Sequence, residues 1–299
     1  MVGFLEYLPL LVALTSSVEL TVRVPGSCGE LVQGWLRGEP FLVTCPIDRY
    51  TRVRVSGELQ GLRGLGEKAR RALGLTLNTL GQETFPWGVE LTSELPRGKG
   101  MGSSSADIAA VVAAASAALG RSFSPEEILH IAVQIEPTDA TFFPGVVALN
   151  QVTGRVFRRY GELPSLPLAL FDTGGCVDTV SFHAEEMRRS GERARHDWGR
   201  LLGHLTENVQ ALAAATTLSA CWNEEILPKR HFAAIRAVVR RSCALGMVAA
   251  HSGTVIGVIL PQQDEAAAAE RLRVMLPDLA YLGRSRLISG GISLTGSIG

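Results

Sequence analysis

Residues 95–107, LPRGKGMGSSSAD, hold a dense group of residues suited to gripping phosphate. Gly98, Gly100 and Gly102 allow positive φ and let the backbone approach an anion closely. Ser103, Ser104 and Ser105 follow, and Ser103 and Ser104 offer hydroxyls to phosphate or metal. Ile108, Val111, Val112, Ala115 and Leu119 then recur at helical spacing. The spacing predicts a helix from Ser103 or Ser104 to near Gly120, whose first N–H groups and positive dipole end would face such an anion. The Walker pattern GxxxxGK[ST] is absent, because Lys99 precedes the last two glycines. The run therefore reads as a phosphate cradle of another kind; the plainer alternative is a glycine hinge with serine caps.

Four other constellations carry chemical groups. Glu136-Pro137-Thr138-Asp139 sets two carboxylates beside a helix C-terminus, where the dipole disfavours negative charge. Acids set against local electrostatics suit metal binding or proton transfer, and are also common in turns. Ala250-His251-Ser252-Gly253-Thr254 reads as a hairpin turn or as a second glycine-rich lip over a ligand. Asp172-Thr173-Gly174-Gly175 ends a strand, and PGSCGELVQG (25–34) follows one; polar and glycine residues at strand ends serve binding loops and ordinary turns alike.

The elements that must position these groups are legible in part. Leu20, Val22 and Val24, and then Val53 and Val55, alternate with polar residues as half-buried strands do. FLVTC (41–45), WGVELTS (87–93), VVALN (146–150) and LPLALFD (166–172) are further strand candidates. A helix is expected around 65–74. Another opens at Ser124-Pro125-Glu126-Glu127, a capping box with proline at N1, and runs to about Gln134. Residues 184–246 are mainly helical in composition. The stretch 246–260 reads as strand, glycine turn, strand, followed by a helix over 263–275 and a last strand near 284–289. Strands and helices mixed in this order imply an α+β fold rather than a regular βαβ array.

The 299 residues carry 29 basic and 29 acidic side chains, a balance unlike the strongly basic surface of a nucleic-acid binder. Five scattered cysteines without a CxxC pair fit a reduced, cytoplasmic protein with neither disulfide framework nor zinc site. The apolar run at the N-terminus is broken by Glu6, lacks a basic leader region and is too short to span a bilayer. It reads as an extension or first strand, and no membrane partner is expected.

Taken together, PGSCGELVQG, the run from Pro96 to Ser104 and Ser252-Gly253-Thr254 resemble, in order, the three motifs of the GHMP kinase superfamily. The resemblance spans about residues 20 to 260, and the middle motif is the specific one. PGSCGELVQG, GKGMGSSSAD, EPTD and FDTGG are most similar to the L-threonine kinases of cobamide (cobalamin) synthesis. Ser27 stands where other members carry the lysine of a PGK form, and Val255 where many carry glycine. The resemblance implies a two-lobed fold, with a ribosomal protein S5 domain 2-like lobe (1–160) and a ferredoxin-like lobe (161–299). It implies ATP and Mg²⁺ as cofactors and a small-molecule hydroxyl, that of L-threonine, as acceptor. It implies that Pro96, Gly98, Lys99, Gly100, Met101, Gly102, Ser103, Ser104 and Ser105 surround the ATP phosphates. It further implies that Ser104 and Glu136 ligate Mg²⁺ and that Asp139 is base or electrostatic positioner at the acceptor hydroxyl. Glu30, Gln33, Asp172, Thr173, Ser252 and Gly253 are candidates for holding the acceptor. Alternatives are homoserine kinase or another small-alcohol kinase, and a non-catalytic ligand-binding relative.

Overall fold

The computed structural model describes residues 18–175, 196–225 and 227–297. The sheet is centred on two long antiparallel strands, β1 (Glu19–Leu36) and β2 (Glu39–Ser56). Leu20, Val22, Val24, Val53 and Val55 are all buried, as their alternation predicts, and FLVTC is the first half of β2 rather than a separate strand. The turn between them places Arg37 and Gly38 at φ 53° and 83°, the left-handed pair that matches the twist of a tight hairpin.

PGSCGELVQG, expected as a loop after a strand, lies within β1. The strand absorbs it through register shifts between Pro25 and Ser27, Ser27 and Glu30, and Glu30 and Val32. Bulges of this kind bend a strand and re-aim its side chains. Gly29, at φ +61°, is required there, since a Cβ would lie 2.3 Å from Ala250 Cα.

After β3 (Leu62–Arg63) come α1 (Glu67–Thr79) and β4 (Gly88–Ser93). The helix runs past the expected 65–74 because Thr76 continues the buried face of Ala69, Ala72 and Leu73. Next are α2 (Ser103–Ala118) and α3 (Pro125–Ala132). Every residue of α2 from Ser105 to Ala118 is buried, so it is a central helix rather than a one-faced surface helix. Alanine lets α2 pack closely on β1, β2, α1 and α3 at once. The hairpin of β5 (Val146–Leu149) and β6 (Val156–Gly161) joins the sheet through β2.

The C-terminal half comprises β7 (Pro167–Asp172), α4 (Trp198–His204), α5 (Val209–Glu224), α6 (Phe232–Arg241), β8 (Gly246–Ala249), β9 (Val255–Ile259), α7 (Glu265–Met275) and β10 (Ala280–Arg286), then β11 (Ser293–Ser297). Strand order β10-β7-β9-β8, all antiparallel, with helices after the first and third of these strands, is the ferredoxin-like βαββαβ arrangement. It has its own apolar cluster around Phe171, Phe232, Met247 and Val258. This unit meets the N-terminal sheet where β8 pairs β1 at Glu30 and Ala249. The architecture is α+β, as expected.

Of the helical stretch expected over 184–246, residues 184–195 lie outside the described residues, as do residues 1–17 of the apolar N-terminus. The strands β3, β6 and β11 are absent from the sequence reading, and β10 begins four residues before the expected 284. All four are half-buried or exposed along most of their length, so no alternation marks them, and pairing to a neighbouring edge decides their position. Among the described residues no helix is long and apolar enough to cross a membrane.

The predicted capping box forms: Glu127 N–H donates to Ser124 Oγ at 3.2 Å and Ser124 N–H to Glu127 Oε2 at 2.8 Å. Ser124→Ala should therefore lower the unfolding free energy by about 1 kcal/mol, measurable by urea denaturation.

Candidate active site

The loop between β4 and α2 takes its shape from its glycines. Gly98, Gly100 and Gly102 have φ of 70°, 76° and 64°. Gly102 is itself the N-cap of α2, and no side chain caps the helix. The serine-cap alternative is thus not what the structure builds: the first N–H groups of α2 lack a side-chain cap at the end of a long buried helix, where an anion is favoured. A Cβ on Gly102 would sit 2.8 Å from both Asp139 Oδ2 and Ser27 Oγ, so glycine is needed for space as well as for φ.

The loop is held from behind by the 250–254 turn. Lys99 carbonyl accepts from Thr254 N–H (3.0 Å) and Val255 N–H (3.2 Å), and Met101 carbonyl accepts from Ser27 N–H (2.9 Å). A Cβ on Gly253 would lie 2.4 Å from Gly100 Cα, so the two backbones touch. Lys99 Nζ lies 2.7 Å from Asp172 Oδ2 and donates to the Gly175 carbonyl at 2.8 Å. Asp172 Oδ1 accepts from Thr254 Oγ1 (2.6 Å) and Gly174 N–H (3.0 Å). Thr173 donates through Oγ1 and N–H to the Thr254 carbonyl. Burial pushes the Asp172 carboxyl up, but the Lys99, Thr254 and Gly174 hydrogen bonds and the Lys99 charge outweigh it and hold the group below its ordinary value.

In front of the loop lies a cleft of about 420 Å³. Gly98, Gly100, Met101 and Gly102 line it from the loop, and Ser103, Ser104 and Ser105 from the start of α2. Glu136 and Asp139 face it from the segment after α3; Glu30 and Gln33 reach it from the bulged part of β1, and Ser252 from the turn. Pro96, Lys99, Asp172, Thr173 and Gly253 are not on its wall. The last four form the clamp behind the loop, and the Lys99 ammonium is engaged there.

Asp139 is set by three consecutive backbone donors. Thr138 N–H donates to the Gln151 carbonyl (3.0 Å), Asp139 N–H to Ser105 Oγ (3.1 Å) and Ala140 N–H to Thr44 Oγ1 (3.2 Å). These bonds tie the carboxylate to the first turn of α2 and to the sheet. Glu136 is buried; Lys68 Nζ contacts its Oε2, while its Oε1 has no hydrogen-bond partner among the described residues.

Sequence reasoning missed Lys68, Asp107 and Gln151, all on the cleft wall. Lys68 is one of only three lysines, but it sits in an ordinary amphipathic helix. Asp107 closes the glycine–serine run itself. It accepts from Thr51 Oγ1 at 2.8 Å and lies 3.7 Å from Arg97 Nη2. Burial raises its carboxyl above the ordinary value, with Glu136 adding to the rise and Thr51 and Arg97 opposing it.

Residues 67–143 match the GHMP kinases N terminal domain. An L-threonine kinase of Salmonella typhimurium is 30% identical over 252 residues, covering 81% of this chain and 83% of that one. The chain belongs to the GHMP kinase family. Two solved structures share the fold. The mevalonate kinase of Methanococcus jannaschii has TM-score 0.72 at 14% identity, over 90% of this chain and 98% of that one. A homoserine kinase of Cytophaga hutchinsonii has TM-score 0.63 at 18% identity, over 93% and 97%. In this GHMP kinase the uncapped start of α2, two carboxylates and a lysine converge on one cleft, an arrangement suited to transferring a phosphoryl group to a hydroxyl.

Two outcomes follow from the loop and its clamp. Gly100 sits at φ +76°, and a Cβ there would lie 2.5 Å from Ala250 Cβ and 2.8 Å from Gly253 Cα. Gly100→Val forces left-handed strain of about 1–3 kcal/mol on the loop, so ATP affinity in calorimetric titration should fall roughly 10-fold or more. Asp172 contributes stability that is complete above the ordinary aspartate value of about 3.9 and is lost as pH falls through its lower folded value. Asp172→Asn should therefore destabilise the protein at pH 7 in denaturant titrations, and the difference from wild type should shrink towards pH 2.

Proposed function

We propose that the chain transfers the γ-phosphoryl group of ATP to the hydroxyl of L-threonine, giving O-phospho-L-threonine. The observation that carries the chemistry is the attachment of Asp139 to Ser105 in the first turn of α2, which sets a carboxylate beside the phosphate cradle. The acceptor rests on the similarity to the L-threonine kinase of Salmonella typhimurium. By the resemblance drawn from the sequence, the product would supply the aminopropanol linker of cobamides.

In this reading the N–H groups of residues 98–105 hold the ATP phosphates, and Asp139 orients the threonine hydroxyl and accepts its proton. The buried, unpartnered Glu136 Oε1 and the cleft-lining Ser104 fit a hard cation, and these two residues would hold Mg²⁺. Mg²⁺ takes few protein ligands beside nucleotide phosphates. When bound, Mg²⁺ supplies positive charge against the phosphate oxygens. Lys68, in contact with Glu136, adds a second positive charge at the same wall. The lobes are 1–160, carrying the loop and Lys99, and 161–299, carrying Asp172, Thr173 and Gly253 of the clamp that backs it. The four described cysteines Cys28, Cys45, Cys221 and Cys243 are free, which supports a cytoplasmic location.

Asp139→Asn should lower kcat by roughly 10²–10⁴-fold if it accepts the hydroxyl proton; near-normal turnover by the folded variant removes it from that role. ADP release measured on threonine, serine, homoserine and mevalonate tests the acceptor. Threonine should have the highest kcat/KM, a preference for homoserine overturns the assignment, and ATP binding without turnover of any acceptor returns the non-catalytic reading. Glu136→Gln should raise the Mg²⁺ concentration needed for half-maximal rate.

A further inference from the structure

The side chain of Gln151 is buried, with the residue 1% exposed, yet neither its Nε2 nor its Oε1 has a hydrogen-bond partner among the described residues. An unsatisfied buried amide is destabilising, and native proteins keep few of them. This one lies on the wall of the cleft. Its backbone is held in place on both sides. The Gln151 carbonyl accepts from Thr138 N–H at 3.0 Å, one residue before Asp139. The preceding residue organises a turn, with Asn150 Oδ1 accepting from Val152 N–H at 3.0 Å and Thr153 N–H at 3.1 Å. The backbone of Gln151, two residues past the end of β5, is therefore tied to the residue before Asp139, and both side chains line the same cleft.

The same wall says what it would bind. Sheet register runs from Gln33 to Leu42 and from Leu42 to Leu149, so Gln33 shares a row with the end of β5. Glu30, a buried carboxylate on that wall, uses Oε2 to accept from His251 N–H at 2.7 Å. An amide presents a donor and an acceptor side by side, the complement of an adjacent carboxylate and ammonium. A carboxylate nearby favours the ammonium. We infer that Gln151 recognises the α-amino-acid end of the acceptor, with Nε2 donating to the α-carboxylate and Oε1 accepting from the α-ammonium. This rests on the proposal that the acceptor is an amino acid, and makes Gln151 a specificity-determining residue of that site.

Steady-state kinetics of wild type, Gln151→Leu and Gln151→Glu on L-threonine and on L-threoninol, which lacks the carboxylate, test it. Gln151→Leu should raise the KM for threonine roughly 10- to 100-fold, the range for a lost hydrogen bond to a charged group, with the KM for ATP unchanged. The advantage of threonine over threoninol should shrink by the part of that factor due to the carboxylate contact, since threoninol keeps the ammonium. Gln151→Glu should reject threonine further while sparing threoninol, because its carboxylate repels one and not the other. The thermal midpoint of Gln151→Leu should be unchanged or higher, since the variant removes an unpartnered amide. An unchanged preference for threonine over threoninol in Gln151→Leu overturns the inference, as does a lowered midpoint with equal loss on both acceptors. If wild type turns over neither acceptor, the threonine assignment itself fails and this inference with it.

Discussion

Backbone contact between Gly100 and Gly253 is the constraint on which the site depends. The glycine loop before α2 faces the cleft with its front, because its rear surface is taken up by the 250–254 turn. Lys99 carbonyl accepts two N–H groups from the residues entering β9, and no Cβ fits on either glycine where the chains touch. The ferredoxin-like unit therefore backs the loop that the N-terminal sheet and α2 carry forward. The Lys99–Asp172–Thr254 network is the side-chain part of the same contact. Asp172 is held below its ordinary value by that network.

From this contact the rest of the cleft follows in order. Ser27 N–H bonds to Met101, so the bulged part of β1 is drawn against the loop, and Glu30 and Gln33 turn onto the cleft wall. Ser105 reaches from α2 to Asp139, and Thr44 and Gln151 hold the residues on either side of it. The carboxylates Glu30, Asp107, Glu136 and Asp139 thus collect on one surface lined also by Lys68 and Arg97. Such a surface repels more negative charge unless cations accompany it.

Much of the cradle was legible in the sequence because its determinants are local. Glycine spacing and the alanine-rich helix both act within a few residues of Gly102. The capping box at Ser124 and the alternating valines of β1 and β2 are local in the same sense. Lys99 and Asp172 were not legible in their actual places. Both read as ligand-binding residues, since a lysine in a glycine loop and an acid at a strand end carry no local sign of each other across 72 intervening positions. PGSCGELVQG was taken for a loop because bulges within a strand erase the alternation that marks one.

The glycine and serine spacing of the loop, the start of α2 and the acids at Glu136 and Asp139 were determined by the sequence alone, since backbone freedom, helix initiation and charge are properties of short segments. The tertiary structure decided which of the candidate groups face the cleft and which are used up in holding it. Lys68 meets Glu136, Gln151 comes beside Asp139, and Lys99 turns away to Asp172 only when sheet register and the docking of the two lobes bring distant residues within hydrogen-bond range. Those contacts depend on packing between segments that lie far apart in the chain, and packing of that kind leaves no local periodicity to read.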